Sequence, residues 1–559
     1  MALRDLFRTK PISKIVQQGG DGEHEGLNKV LTVRDLTFFG IAAIIGGGTF
    51  SAIGNACFSG GPGVILLYIL CAVACGFTAM CYAEFASRVP VSGSAYTYAY
   101  VSFGELFAWI IGWALIMEYS IGNIYIAFSW SGYFTNLLES FNMHLPEWLT
   151  INYTEAHRNF LENKPGEGSI AWQNAPSLGS LRIIFDLPAV VINVLITYLV
   201  YRGTKESKNF SNAMVVIKLL IVVLVIAVGI FYIDIENWTP FMPNGFGGVM
   251  GGVSAVFFAY IGFDAVSTLA EESKDPQRDL PKGMIYSLVI CTILYIILAL
   301  VLTGMVPYTA LGVTDPLAEI FALKGVKWML FIVSIAAVVA MTSVMLVFQL
   351  GQPRIWMTMS RDGLMPKKFS SIHPKFKTPG FATIVTGFVV GLPIFFTDET
   401  FVLDFTSIGT LFAFVLVCGG VLLLSPQSEA EVAEAKLRSK FRIPYINAKY
   451  IFPLIVLVAA GIIHYFFPDF FLETLDFSGD AATTNVTMVL FFVLCIVMSV
   501  LAFLKNLSLV PLLGLVSCCY LLTGMALNNW MWFGVWLAIG LVFYFAYGRS
   551  HSKLNTKVV

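Results

Sequence analysis

Gly40-Ile41-Ala42-Ala43-Ile44-Ile45-Gly46-Gly47-Gly48-Thr49-Phe50 places three consecutive glycines near the middle of an apolar run. Each glycine costs about 1 kcal/mol relative to alanine in a helix interior, so a helix drawn through this stretch is predicted to unwind at its centre. Five apolar runs later, Phe257-Phe258-Ala259-Tyr260-Ile261-Gly262-Phe263-Asp264 shows the same weakness. Non-helical backbone at membrane depth is tolerated only where protein or a water-filled cavity satisfies its polar groups. Interrupted segments in corresponding positions of two halves point to a solute site between inverted repeats. For either glycine run alone, close packing of small residues between helices is the alternative reading.

The surrounding chain requires lipid as its solvent. It has 559 residues, of which 57% are hydrophobic and 12% charged, where soluble domains run at about 45–50% and about 25%; the mean hydropathy is +0.78. With 34 Lys and Arg against 35 Asp and Glu, no bulk field attracts nucleic acid. A hydrocarbon core needs about 20 apolar residues per helix. That length predicts 14 spans, near 36–57, 63–86, 104–137, 183–201, 213–233, 247–270, 283–306, 327–356, 380–397, 402–425, 450–467, 487–504, 509–527 and 531–548. Of the 34 Lys and Arg, 28 fall in the terminal segments and alternate loops on one side, 5 fall on the other, and Lys218 lies within a span. Basic loops stay inside, so both termini are expected to be cytoplasmic in a plasma-membrane protein. The Lys and Arg scattered before the first span give no cleavable signal pattern.

Several chemistries are not encoded. The nine cysteines lack metal-ligand spacing and are expected to be small core residues, so neither a metal nor a cofactor is expected. No ATP-binding loop of the Gly-x-x-x-x-Gly-Lys-[Ser/Thr] kind is present. Of six histidines only His464 falls in a span, which leaves no catalytic cluster at depth and argues against an enzyme. What two unwound helices do offer suits a zwitterion. Freed N–H groups at the start of a half-helix can hold a carboxylate, and freed carbonyls at the end of another can hold an ammonium.

Further stretches carry a family resemblance. They are Ala83-Glu84-Phe85-Ala86-Ser87-Arg88-Val89-Pro90 with Gly93-Ser94-Ala95-Tyr96, Phe257 to Glu272, Gln352-Pro353-Arg354-Ile355-Trp356 with Ser360-Arg361-Asp362-Gly363-Leu364, Thr406 to Phe414, and Phe543 to Gly548. In these the sequence resembles the amino acid–polyamine–organocation superfamily, and within it the cationic amino acid transporter family, from about residue 28 onward. The resemblance implies an all-α polytopic membrane protein with a five-plus-five inverted-repeat, broken-helix fold and four additional helices. The segments expected are a cytoplasmic segment 1–34, repeats 35–233 and 247–425, a cytoplasmic loop 426–449, helices 11–14 in 450–548 and a tail 549–559. It also implies import of L-amino acids, cationic or broadly neutral, by alternating access with a proton as coupling ion. A membrane amino acid sensor, or an exchanger without net proton-coupled uptake, is the alternative; the oligomeric state is not legible.

The same resemblance assigns candidate site residues. Gly46, Gly47, Gly48 and Thr49 would bind the substrate, with Gly47 and Gly48 facing its carboxylate; the hydroxyl that the family often places there is missing at Gly47, and Thr49 lies two positions on. The carbonyls of Phe258, Ala259 and Ile261 would face the amino group, with the Phe258 ring as a gate. Met341 would form the far wall of the side-chain pocket, its bulk disfavouring a guanidinium; ordinary helix packing is the alternative.

Ionisable groups inside spans are functional candidates by default. Burial favours the uncharged form of a lysine, and in similar proteins the residue matching Lys218 stands where sodium-coupled relatives bind their ion, so Lys218 is the expected proton-coupling residue. Snorkelling is the alternative, since Lys218 is roughly 9 Å from the cytoplasmic end at 1.5 Å per residue. Glu118 in span 3 would attract a cation, form part of a proton path, or bind Asn123 or a neighbouring helix. Asp264 would contribute to charge or specificity, or would cap the half-helix that follows it. Glu84 and Arg88, four residues apart, are expected to form a surface pair.

Overall fold

The computed structural model describes residues 6–11, 29–162, 167–178, 181–313, 315–397, 399–423, 441–466, 468, 470–475 and 482–554. Most of the expected 426–449 loop, parts of the N-terminal segment and the end of the tail lie outside these residues. The described chain is helical apart from a two-residue hairpin, Ser177–Leu178 with Leu181–Arg182, and isolated bridges such as Leu31 with Ser273. By length and composition nine of its helical stretches can cross a membrane, and three shorter helices are similarly apolar. The described chain is that of an all-α polytopic membrane protein.

Span 1 begins at Val33–Ile44, where the Thr32 N–H and hydroxyl both donate to the Asp35 carboxylate, a capping box. It resumes as a π-helical turn Gly48–Ala52 and the helix Ile53–Gly60. Spans 2 to 5 are Val64–Arg88, Glu105–Ser140, Leu187–Arg202 and Thr204–Gly229. Span 6 comes in pieces, Gly245–Gly251, Val253–Phe258 and the 3-10 segment Asp264–Glu272. Spans 7 to 10 are Pro276–Met305, Lys327–Arg361, Gly380–Gly391 (continued by Pro393–Phe395) and Glu399–Leu423. The remainder are Ala448–Phe466, Ala482–Lys505, Leu509–Thr523 and Leu527–Phe543. Shorter helices stand where the sequence predicts only loops, among them Ser94–Ser102, Tyr153–Leu161, Glu167–Asn174 and Pro316–Leu323; all are too short to register against an apolar length of about 20 residues.

Burial sorts the helices. Span 3 is 89% buried along its most apolar stretch and span 8 is 61%, whereas spans 11 and 12 are each 11%. Spans 3 and 8 pack along their length: Tyr119 stacks on Phe348 at 5.5 Å, Gln352 donates to the Ser120 hydroxyl at 2.7 Å, and the Trp130 indole donates to Thr342 at 2.9 Å. Eight of the nine cysteines are buried and all are unbridged, as expected of small core residues. The Glu84–Arg88 pair forms, but it is not a solvated pair. Glu84 is 5% exposed and also accepts from the Ile443 N–H at 3.1 Å, so segment 441–443 covers it.

At the end of span 6 two ion pairs tie it to span 8. The Arg354 guanidinium meets Glu272 at 2.8 Å with both side chains fully buried, and Arg361 reaches both oxygens of Glu271 at 2.9 and 3.0 Å. The Glu272 carbonyl also accepts from the N–H groups of Val30 and Leu31, each at 3.0 Å. Span 1 is thereby held to the same point.

Candidate functional site

Both expected breaks are present, and their backbone groups can be accounted for one by one. A helix that stops leaves its last carbonyls without intrahelical donors. At the first break Ile45 is extended (φ −82°, ψ 101°) while its N–H still reaches Ile41. The Ala42 and Ile45 carbonyls accept from Lys218 Nζ at 2.9 and 2.7 Å, and the Ile44 carbonyl accepts from the Tyr295 hydroxyl at 2.8 Å. The Gly46 carbonyl receives the N–H groups of Thr49 and Phe50 as the second half-helix starts. Among the described residues the N–H groups of Gly46, Gly47 and Gly48 make no main-chain hydrogen bond, which leaves three donors at the head of that half-helix.

At the second break, Tyr260 and Ile261 close tight turns on Phe257 and Phe258, and Gly262 turns the chain at φ +117°. A side chain at 262 would be strained there and would also meet Ala43 at 2.5 Å. The Phe258 carbonyl is taken by the Ile261 N–H at 3.2 Å, while those of Ala259, Tyr260 and Ile261 accept no main-chain hydrogen bond among the described residues. Of the three carbonyls expected to face an amino group, those of Ala259 and Ile261 are thus without a main-chain donor among the described residues.

The breaks face one another closely. A Cβ added at Gly48 would lie 2.4 Å from the Ala259 Cα, one at Gly46 would lie 2.2 Å from Val344 of span 8, and one at Gly47 would meet Ile126 at 2.6 Å and the Tyr125 ring at 3.1 Å. The glycines therefore both release the backbone and permit close packing; the two readings are not exclusive. Phe258, 5% exposed, meets the Tyr125 ring edge-on at 4.7 Å. Met341 is fully buried in span 8. Thr49 belongs elsewhere: its hydroxyl donates to the Tyr295 hydroxyl at 2.9 Å, so it braces the break from span 7 instead of joining the Gly48–Ala259 contact.

Lys218 does not snorkel. It is fully buried, and its third hydrogen bond goes to the Ser343 hydroxyl of span 8 at 2.8 Å. One ammonium thus spans the broken helix and the long central helix. Glu118 and Asn123 are also fully buried, yet none of their side-chain polar atoms has a hydrogen-bond partner among the described residues, so they do not bind each other. Asp264 does not cap its helix; its Oδ2 accepts from the Tyr119 hydroxyl at 3.5 Å, long for a hydrogen bond, and its Oδ1 has no partner among the described residues.

Tyr295, Ser343 and Tyr125 escaped sequence reading. Each is an uncharged residue inside a membrane span, and only the Lys218 charge hinted that partners had to exist. Among the described residues no cluster of three or more His, Cys, Asp or Glu could hold a metal ion.

Residues 31–474 match the amino acid permease family, and residues 507–552 match the C-terminus of that family. A branched-chain amino acid permease of Bacillus subtilis is 38% identical over 98% of this chain and 99% of its own length. A methylthioribose transporter of the same organism is 37% identical over 99% and 100%. The vacuolar cationic amino acid transporter 4 of Arabidopsis thaliana is 31% identical over 100% and 97%.

Proposed function

Because the chain belongs to the amino acid permease family, we propose that it imports neutral, apolar L-amino acids with a proton, by alternating access to a site between the two helix breaks. Membership makes it an integral membrane transporter and not an enzyme; the substrate, the coupling ion and the direction are the proposal. The N–H groups of Gly46, Gly47 and Gly48 and the open carbonyls of Ala259 and Ile261 supply the complements of a carboxylate and an ammonium. Gly47, Gly48 and the buried Phe258 and Met341 add no charge to that region. The branched-chain specificity in the name of one relative agrees with an apolar side chain, while the cationic and methylthioribose names of others mark the competing substrates.

One observation carries the coupling: the Lys218 ammonium holds two carbonyls at the first break and Ser343 across from it. Loss of its proton removes a donor and the charge, which loosens span 1 from span 8 and lets the site change the side it faces. Glu118 and Asp264, buried with unpartnered oxygens, are assigned to the path by which that proton arrives. Repeats 35–233 and 247–425 are the two bodies that move, and both termini face the cytoplasm across the plasma membrane.

Uptake into proteoliposomes under an imposed pH gradient tests the whole. Leucine should accumulate when the outside is acidic, with arginine a weak competitor. Accumulation that ignores the gradient overturns proton coupling, and uptake seen only against preloaded amino acid supports the exchanger.

A further inference from the structure

We propose that spans 4 and 9 form a binding site for one membrane phospholipid with an anionic headgroup, its acyl chain in the groove between them and its phosphate at Arg202 and Lys375. Three glycines of span 9 draw the helices together. A Cβ at Gly380, Gly387 or Gly391 would lie 2.9 Å from Tyr201, 2.6 Å from Thr197 or 2.8 Å from Asn193. The seam is therefore closed on its inner side. Outside it, the larger side chains splay and leave an apolar groove of about 510 Å³, within the range of about 300–1,000 Å³ that holds a bound small molecule. Its walls include Val194 and Tyr198 of span 4 and Phe388 and Leu392 of span 9, which are 58–73% exposed. An outward apolar wall at membrane depth is met by hydrocarbon.

The charge at one end selects the kind of hydrocarbon. The Thr378 hydroxyl donates to the Tyr201 carbonyl at 3.0 Å and pins segment 373–378 against the end of span 4. Tyr201 then meets His373 at 5.4 Å and Phe376 at 5.7 Å, edge-on. Arg202 and Lys375 both lie over the Phe376 ring, at 5.6 and 5.7 Å, and Arg202 also donates to the Tyr198 hydroxyl at 3.0 Å. Neither cation has a carboxylate within ion-pair distance among the described residues. Two unneutralised cations on one aromatic platform, at the mouth of an apolar groove, complement a phosphate joined to an acyl chain. A soluble anion would leave the groove unfilled, and a zwitterionic lipid would leave the cations uncompensated. Basic pockets between transmembrane helices are suited to anionic headgroups. The site lies apart from the helix breaks, so its test is independent of the transport reading.

Native mass spectrometry of the detergent-purified full chain, titrated with phosphatidylglycerol and phosphatidylcholine of identical acyl chains, decides the matter. The wild type should retain phosphatidylglycerol about tenfold more strongly or better, as expected of two basic residues beside an anionic headgroup. Arg202→Gln with Lys375→Gln should abolish the headgroup preference while leaving lipid binding. Val194→Trp, which fills the groove from an exposed position, should remove the bound lipid of either kind. Equal retention of the two lipids by the wild type, or a preference that survives the double substitution, overturns the site. So does a mass of two chains that Val194→Trp reduces to one, since a second copy would then occupy the groove.

Discussion

Lys218 Nζ donates to the carbonyl of Ile45 at 2.7 Å, across the point where the first transmembrane helix loses its regular backbone. The same ammonium holds Ala42 and Ser343. Lys218→Ala leaves the two buried carbonyls without donors, at about 1–3 kcal/mol for each unsatisfied group. It also removes the charge proposed to couple transport. The expected outcome is loss of gradient-driven leucine accumulation in proteoliposomes, with a lowered melting temperature. A Lys218→Ala protein that accumulates leucine as the wild type does would remove the lysine from the coupling scheme.

The glycines at the first break are not equivalent. A methyl group at 48 would meet Ala259 backbone at 2.4 Å, whereas at 47 the nearest atom is the end of the flexible Ile126 side chain at 2.6 Å. Backbone cannot yield without moving span 6, so Gly48→Ala should cost about 1–3 kcal/mol in overpacking and reduce transport by more than about tenfold. Gly47→Ala should be the milder change in both respects. Melting curves and initial uptake rates of the two variants, measured side by side, check the order; the reverse order would contradict the packing described here.

The alternation of spans and both interruptions were legible because hydropathy and consecutive glycines are local properties of the chain. Lys218 was legible as a charge in an apolar run, but its destination was not. Its distance along the helix permits snorkelling as readily as burial, and only the fold brings Ser343, 125 residues away, to its ammonium. The partner of Thr49 was equally hidden, since its hydroxyl goes to Tyr295, 246 residues away. Glu84 was read as solvated because an i, i+4 pair at a helix end usually is, and the segment that covers it begins more than 350 residues later.

Outside the spans, Asp315 precedes the helix Pro316–Leu323, and Asn136 donates to its carboxylate at 2.8 Å. Burial, with Glu319 as a second cause, pushes its carboxyl up from the ordinary 3.8 to about 6. The folded protein therefore binds this proton more tightly than the unfolded chain does. Its stabilising contribution is complete below 3.8 and is lost as the pH rises towards about 6. Asp315→Asn still accepts from Asn136 and cannot ionise. Melting temperatures between pH 4 and pH 7 should fall less steeply for this variant than for the wild type, and parallel curves would assign the pH dependence to other groups.

Arg354 and Glu272 are the most deeply buried ion pair among the described residues, with no exposed side-chain surface on either partner and a contact of 2.8 Å. Removing one partner strands the other charge, a loss of about 3–5 kcal/mol, whereas replacing both by apolar side chains of similar size is often close to neutral. Glu272 already has one oxygen without a partner, so Arg354→Met leaves a carboxylate with nothing to compensate it. Arg354→Met should therefore lower the melting temperature strongly, and Arg354→Met with Glu272→Met should recover much of the loss. Transport should not recover with it, because the pair ties the end of span 6 to span 8 at the point where the Glu272 carbonyl also holds span 1. A double variant as unstable as the single one would locate the cost in packing around residue 354, and a double variant with wild-type uptake would mean that this tie takes no part in the transport cycle.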